Sequence, residues 1–465
     1  MSIHDFTALV NFEIATDKLF SERRLKFISD EFQWIQSVAS KSQHVYGLNT
    51  LTGHRDSEGI KLGSSNSQEI LINSHLVPTG GPAYDQYESR CITVAKGFAV
   101  RNGGTGMSPT LTAHLLEAID SPAFLPFVPT NQSYSSGDVI PGAYWARSLL
   151  NWKDYYSKNP LLPGEALALI NGSFVHIGVA ASTVPKLAQV KSLVLHAFGA
   201  VACLSGHDSH DFKRVVFSER ASSINDLETL SSIVQRYRET TLNPETTAQC
   251  SVSIRSFPEL IMLLNEKVAK FISEINYSLN SRSANPMYDH VAGRVDSQAS
   301  FLLATLSADE STVIDGLLLT CSALVGGIQH LLSGRVSGIP IDGHRSNDPY
   351  GFIQVPKELM ARLERLRLIT GRRPFSAGAS TSYGIEDLWT YGLNITELLN
   401  QAIVDLKYIA LRTICICELL SQVFFHKKIF HTLEIDLEEI FLETLRIIEE
   451  PYSGRLLRSF DRTVT

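Results

Sequence analysis

From Pro129 to Asp138 the chain reads Pro-Thr-Asn-Gln-Ser-Tyr-Ser-Ser-Gly-Asp, and the final four residues can do chemistry. The backbone of Ser135-Ser136-Gly137 can close on itself. The amide nitrogen of Gly137 attacks the carbonyl carbon of Ser135, two waters leave, and Ser136 becomes an exocyclic methylidene. The product is a methylidene-imidazolone ring, an electrophile that no ordinary side chain provides. Gly137 suits the tight approach because it has no Cβ. Ser-Ser-Gly is also an ordinary loop tripeptide, so the reading turns on the residues elsewhere in the chain.

Two other constellations suggest different chemistry. His207-Asp208-Ser209-His210-Asp211 sets two histidines among acids, the types that bind a cation. It follows an apolar helical stretch in a polar segment and reads as a solvated turn, so no metal is expected. A Ser136/His75/Asp138 hydrolase triad lacks the Gly-x-Ser-x-Gly elbow that would present its serine.

Around the tripeptide the chain carries Tyr46-Gly47-Leu48-Asn49-Thr50, Leu71-Ile72-Asn73-Ser74-His75, and Leu167-Ala168-Leu169-Ile170-Asn171-Gly172. Further on come Ser253-Ile254-Arg255, Asn285-Pro286 and Ser380-Thr381-Ser382-Tyr383-Gly384-Ile385-Glu386-Asp387. In order and rough spacing, from Tyr46 to about Gly392, this set resembles the histidine/phenylalanine ammonia-lyase family. That family usually builds its methylidene-imidazolone from Ala-Ser-Gly.

The resemblance implies a role for each matched residue. Ser135, Ser136 and Gly137 form the electrophile that captures the substrate amine. Tyr46 takes the β-proton, although a phenol is a poor base unless donors or positive charge stabilise the phenolate. Ser74 and His75 select the substrate, and a histidine there is like the histidine- and tyrosine-specific members. Asn171 faces the substrate and the ring, Arg255 clamps the carboxylate with a planar fork of donors, and Glu386 lies near the leaving ammonia. Phe301 completes the substrate pocket. The implied activity is ammonia elimination from, or amino-group migration on, an aromatic amino acid that is histidine- or tyrosine-like. The implied assembly is a homotetramer whose sites take residues from several subunits. Helix N-termini aimed at the ring would stabilise developing negative charge.

Three departures bear on that reading. Ser135 stands where the family usually has Ala, but it contributes only its carbonyl carbon. Cys250 and Val252 stand where the family usually has Asp and an active-site Tyr. Gln298-Ala299-Ser300-Phe301-Leu302 replaces a Gly-Gly-Asn-Phe-His type of segment, and only Phe301 survives. The alternative is a divergent member without lyase activity, catalysing a different biosynthetic reaction or acting as a binding subunit.

The elements that must position these residues are helical. Apolar periodicity predicts helices over 111–118, 143–151, 165–172, 183–204, 257–279, 300–332 and 395–425, with Thr183 as an N-cap and Pro185 in the first turn after it. Few stretches alternate with period two, so strands should be short and peripheral. The expected fold is all-α: a large bundle of long helices, 183–465, and a smaller N-terminal portion, 1–182, carrying the cofactor loop. With 465 residues the chain is long enough for a sizeable core, and 44% hydrophobic against 19% charged residues marks it as globular. A net charge of −7 with no strongly basic stretch argues against nucleic acid or an anionic membrane as partner. Six scattered cysteines without a CxxC pair fit a reducing cytoplasm. The N-terminus has no signal-peptide core, and no uncharged apolar run reaches the length of a membrane span.

Overall fold

The computed structural model describes residues 1–41, 44–59, 67–79, 81–133, 137–207, 224–240, 250–371 and 381–426. The chain is all-α, as expected. Among the described residues the only sheet is a hairpin, in which Met287–Asp289 pairs antiparallel with Arg294–Asp296. Two compact units form. The first joins Met1–Val184, Lys270–Ser311 and Arg373–Leu398; the second joins Pro185–Ala269, Thr312–Arg372 and Leu399–Thr465. The stretch 270–311 and part of 373–398 therefore fold with the N-terminal portion, whereas the sequence reading grouped everything after 182 as one bundle.

In the first unit the helix starts are written in the sequence. Ser2, Ser21, Asp85 and Ser108 each accept the N–H three residues on, and Asp5 and Glu88 return the bond to complete two capping boxes. The helix Gln86–Asn102 buries Cys91, Ile92, Val94, Ala95 and Phe98 along its length. Beside it Val139–Asn151 buries Trp145, whose indole N–H donates to Thr93 Oγ1 at 3.1 Å. A buried Trp needs such a partner, because an orphaned donor would offset part of its packing gain.

One helix departs from expectation. Phe174–Leu204 is continuous, so Thr183 is not its N-cap and Pro185 lies inside it. Thr183 Oγ1 donates to Ala180 O and Ser182 Oγ to Val179 O, both at 2.7 Å, so these hydroxyls are satisfied within the helix. An interior proline costs about 3 kcal/mol. Phe174, Val175, Ile177, Val179, Ala180 and Ala181 are all buried ahead of it. Each large apolar side chain contributes about 1.5–3 kcal/mol on burial, so the extension outweighs the proline.

The stretches Glu165–Leu204, Ser300–Leu331 and Gly392–Phe425 are long and apolar enough, by length and composition, to cross a membrane. This corrects the reading that no run reaches that length. In their most apolar windows 78%, 67% and 67% of the residues are buried inside the protein, so core packing accounts for the apolarity. In the second unit Phe198 stacks on Phe257 with centroids 3.8 Å apart. Buried Asp405 there receives Arg362 at 2.7 Å.

Candidate active site

The turn bearing Tyr46 is built by its own motif. Val45 and Leu48 enter a core cluster with Ile35, Ala39 and Tyr288. Between them the chain is closed by side chains: Asn49 Oδ1 accepts the Val45 N–H at 2.6 Å, and Thr50 Oγ1 accepts the Gly47 N–H at 3.2 Å. The Asn and Thr of Tyr-Gly-Leu-Asn-Thr are therefore structural. Tyr46 Oη accepts the N–H of Gly53 at 3.4 Å. Burial raises the Tyr46 phenol above its ordinary range; the Gly53 N–H opposes this, and the carboxylates of Glu386 and Asp56 add to the rise.

Helix Ser67–Ser74 ends at His75. His75 Nδ1 lies 2.8 Å from Leu71 O, a carbonyl that only accepts, so Nδ1 carries the proton. Nε2 of the neutral ring is then an acceptor. Ser74 Oγ donates to the same carbonyl at 2.7 Å and is exposed.

Asn171 caps helix Glu165–Ile170 at its C-terminus. Gly137 adopts φ +80°, and a Cβ on it would lie 3.0 Å from Asn171 Oδ1. That oxygen is buried and has no hydrogen-bond partner among the described residues. A buried acceptor without a donor is costly unless a bound group completes it. Asn171 thus fits a group built at Gly137. Two helices, Val139–Asn151 and Phe174–Leu204, begin close in sequence to Gly137 and Asn171 respectively.

Tyr46, His75, Gly137 and Asn171 share one cavity of about 780 Å³. Tyr46, His75, Gly137, Asn171, Phe301 and Glu386, each singled out by sequence, line it. Ser135 and Ser136 lie outside the described residues. Ser74 and Arg255 are not among the lining residues; Arg255 belongs to the second unit and is exposed on the short helix Val252–Arg255. The lining also includes His54, Asp56, Gln298 and Asp387, which the sequence reading did not assign. Among the described lining residues the carboxylates are Asp56, Glu386 and Asp387, and none is lysine or arginine. Glu386 Oε2 accepts from Thr381 Oγ1 at 2.7 Å across a small bridge.

Gln298 comes from the segment where the family pattern is lost. Its N–H donates to Asn285 Oδ1 at 3.1 Å, and its side-chain amide donates to Ala284 O. The divergent segment is therefore a tied-down wall of the cavity. The hydrolase triad has no support: Asp138 is bound to Ser133 and to the His176 N–H, and His75 to Leu71. Of the histidine-acid cluster only His207 is described. Among the described residues no group of three His, Cys, Asp or Glu is placed to hold a metal.

Lys96 is the most unusual buried charge near the cavity. Its Nζ lies 3.5 Å from Asn171 O and 4.2 Å from the centre of the Phe174 ring. Burial pushes its amine down to about 7. The folded value is below the unfolded one, so the unfolded chain binds more protons between about 7 and 10.5. Stability should rise with pH across that window, and Lys96→Met should flatten the rise and stabilise the neutral protein by a few kcal/mol, on the order of 1.4 kcal/mol per unit of difference. Denaturant melts from pH 6 to 10 check this; parallel curves for both proteins would refute it.

The family model for "Aromatic amino acid lyase" matches residues 1–422. A tyrosine ammonia-lyase of Cereibacter sphaeroides is 25% identical over 163 residues, 31% of this chain and 31% of that protein. A histidine ammonia-lyase of Geobacillus sp. is 22% identical over 313 residues, 60% of this chain and 59% of that protein. The chain thus spans less than two thirds of those relatives' lengths. Among solved structures, the ergothioneine-degrading ergothionase of Treponema denticola superposes with a TM-score of 0.82 at 15% identity, covering 91% of this chain and 88% of that one. At that identity the likeness is one of fold.

Proposed function

This chain belongs to the aromatic amino acid lyase family, and from that we propose that it eliminates ammonia from, or moves the amino group of, an aromatic amino acid. The observation that carries the reading is the convergence of Tyr46, His75, Gly137, Asn171, Phe301 and Glu386, from separate motifs, on one cavity. A methylidene-imidazolone made from Ser135, Ser136 and Gly137 would supply an electrophile for the substrate amine. Gly137 and the unpartnered Asn171 Oδ1 fit that group. A purified chain lighter than its sequence by two waters is the expected result, and an unmodified mass would favour the divergent, non-lyase reading.

The other residues bind and move protons. Tyr46 Oη takes the β-proton. Phe301 packs on the aromatic ring, and Glu386 faces the ammonium. The carboxylates of the lining favour the substrate's amine, and among the described lining residues there is no lysine or arginine for its carboxylate. Arg255 would supply one from a neighbouring subunit of a homotetramer, which is consistent with its exposure here. Few and scattered cysteines with no CxxC pair make a reducing cytoplasm the proposed compartment.

Substrate choice follows from His75. With Nδ1 committed to Leu71 O, Nε2 offers the cavity an acceptor. A phenol O–H or imidazole N–H satisfies it, whereas phenyl leaves it unpaired at a cost of about 1–3 kcal/mol. The wild type should therefore prefer tyrosine or histidine over phenylalanine. His75→Phe should shift kcat/KM towards phenylalanine by about tenfold to a hundredfold. Competition among the three amino acids tests this; a wild type that prefers phenylalanine contradicts it.

A further inference from the structure

A buried set of polar groups lies behind the loop that carries Ser135, Ser136 and Gly137, and the reaction as proposed leaves it unused. Ser133 Oγ donates to Asp138 Oδ1 at 2.6 Å, which ties the residues on either side of the loop. The second oxygen of Asp138 accepts the His176 N–H at 3.3 Å. The His176 ring meets Glu310 through Nε2 at 3.1 Å, with the two side chains 1% and 0% exposed. Glu310 Oε1 accepts from Thr396 Oγ1 at 2.6 Å. Gly392 leaves room for the ring, since a Cβ there would sit 2.1 Å from His176 Cε1. His176 is thus held by Asp138 at its backbone N–H and by Glu310 at ring Nε2, with Gly392 against the ring, while its buried Nδ1 has no hydrogen-bond partner among the described residues.

We propose that His176 and Glu310 are positioning residues for ring formation: as an imidazolium–carboxylate pair behind Asp138, they keep closed the Ser133–Asp138 tie that flanks the residues to be cyclised. The assignment rests on the ring reading above. Its physical basis is that a buried carboxylate stays ionised only where positive charge or donors lie near it. Burial raises the Asp138 carboxyl, and His176 is the foremost group opposing that rise. Burial also works to discharge His176, but Glu310 and Asp138 together raise the imidazole above its ordinary value. Another titratable group near Asp138 is Tyr84, whose phenol is held neutral by burial and by Glu397 and Asp138. An ionised Asp138 makes the stronger, charge-assisted bond to the Ser133 hydroxyl.

The chemistry the tie serves is a condensation without redox change. A bond forms between the Gly137 nitrogen and the Ser135 carbonyl carbon. The carbonyl oxygen leaves as water with the N–H protons of Ser136 and Gly137. The Ser136 hydroxyl leaves as a second water with its Cα proton, which creates the exocyclic double bond. Holding nitrogen and carbon together beforehand removes the entropic part of the barrier.

The test is the intact mass of the full chain, followed over time after cell-free synthesis. Glu310→Gln keeps the hydrogen-bonding shape but removes the charge. Glu310→Gln and His176→Gln should each lose the two waters about tenfold to a hundredfold more slowly than wild type, the factor a charge-assisted bond carries. Asp405→Asn removes an equally buried carboxylate, paired with Arg362 in the other unit, and should lower stability without changing that rate. Should Glu310→Gln fail to fold, Thr396→Val, which removes one bond to Glu310, should still slow the water loss. Water loss at the wild-type rate in a folded Glu310→Gln or Thr396→Val chain, or equal slowing by Asp405→Asn, overturns the assignment alone. A wild-type chain that never loses water overturns the ring reading and this assignment with it.

Discussion

Ser136→Ala is expected to return the chain to its full sequence mass and to lower kcat by on the order of a thousandfold or more, the scale on which loss of a covalent-catalysis group is felt. Alanine cannot lose a hydroxyl, so no exocyclic methylidene forms. The substitution removes a single oxygen, so folding should survive it. Mass and rate must move together. A variant that keeps wild-type turnover would show that the electrophile is not made from Ser136. A wild type without the mass deficit would leave the divergent reading in its place.

Tyr46→Phe should cost about 10²–10⁴ in kcat, the usual worth of a positioned general base. Its companion is a pH profile. A base works deprotonated, and burial, with Glu386 and Asp56, holds the Tyr46 phenol above its ordinary range against the Gly53 N–H. The wild-type rate should therefore climb through the alkaline range. Asp56→Asn removes one neighbouring negative charge and favours the phenolate, so it should move the climb to lower pH. A flat wild-type profile, or an Asp56→Asn profile that does not move, would rule out Tyr46 as the titrating base. If an arginine from a second subunit enters the site, it would act in the same direction as Asp56→Asn, and the climb would begin at lower pH than this chain alone predicts.

Much of the site was legible because short motifs encode local geometry. Tyr-Gly-Leu-Asn-Thr closes on its own Asn49 and Thr50 side chains. Asn171-Gly172 ends a helix where the residue types say it should, with Gly172 at φ +114°. Helix 257–279 begins and ends where its apolar spacing predicts. In each case the interacting groups are few residues apart, so chain order fixes their distance. The misreading of Pro185 has the opposite cause. Its local signal says helix start, but burial of the six apolar residues ahead of it, a tertiary effect, outweighs one missing hydrogen bond.

Residue types alone determined the all-α class and the tripeptide able to cyclise. Tertiary structure alone decided what surrounds that tripeptide. Lys96 and Asn171 are 75 residues apart, and His176 and Glu310 are 134 apart. No spacing rule links them. In the sequence Lys96 and His176 are lone polar residues in apolar helical stretches and Glu310 is one of a polar run, types that most often mark a surface position. Only the folded chain shows that Lys96, His176 and Glu310 are buried and what each meets. The same holds for Asp56 and Glu386, whose joint effect on Tyr46 exists only because two distant loops line one cavity. Electrostatic energy depends on distance and dielectric, and both are properties of the packed molecule rather than of the order of its residues.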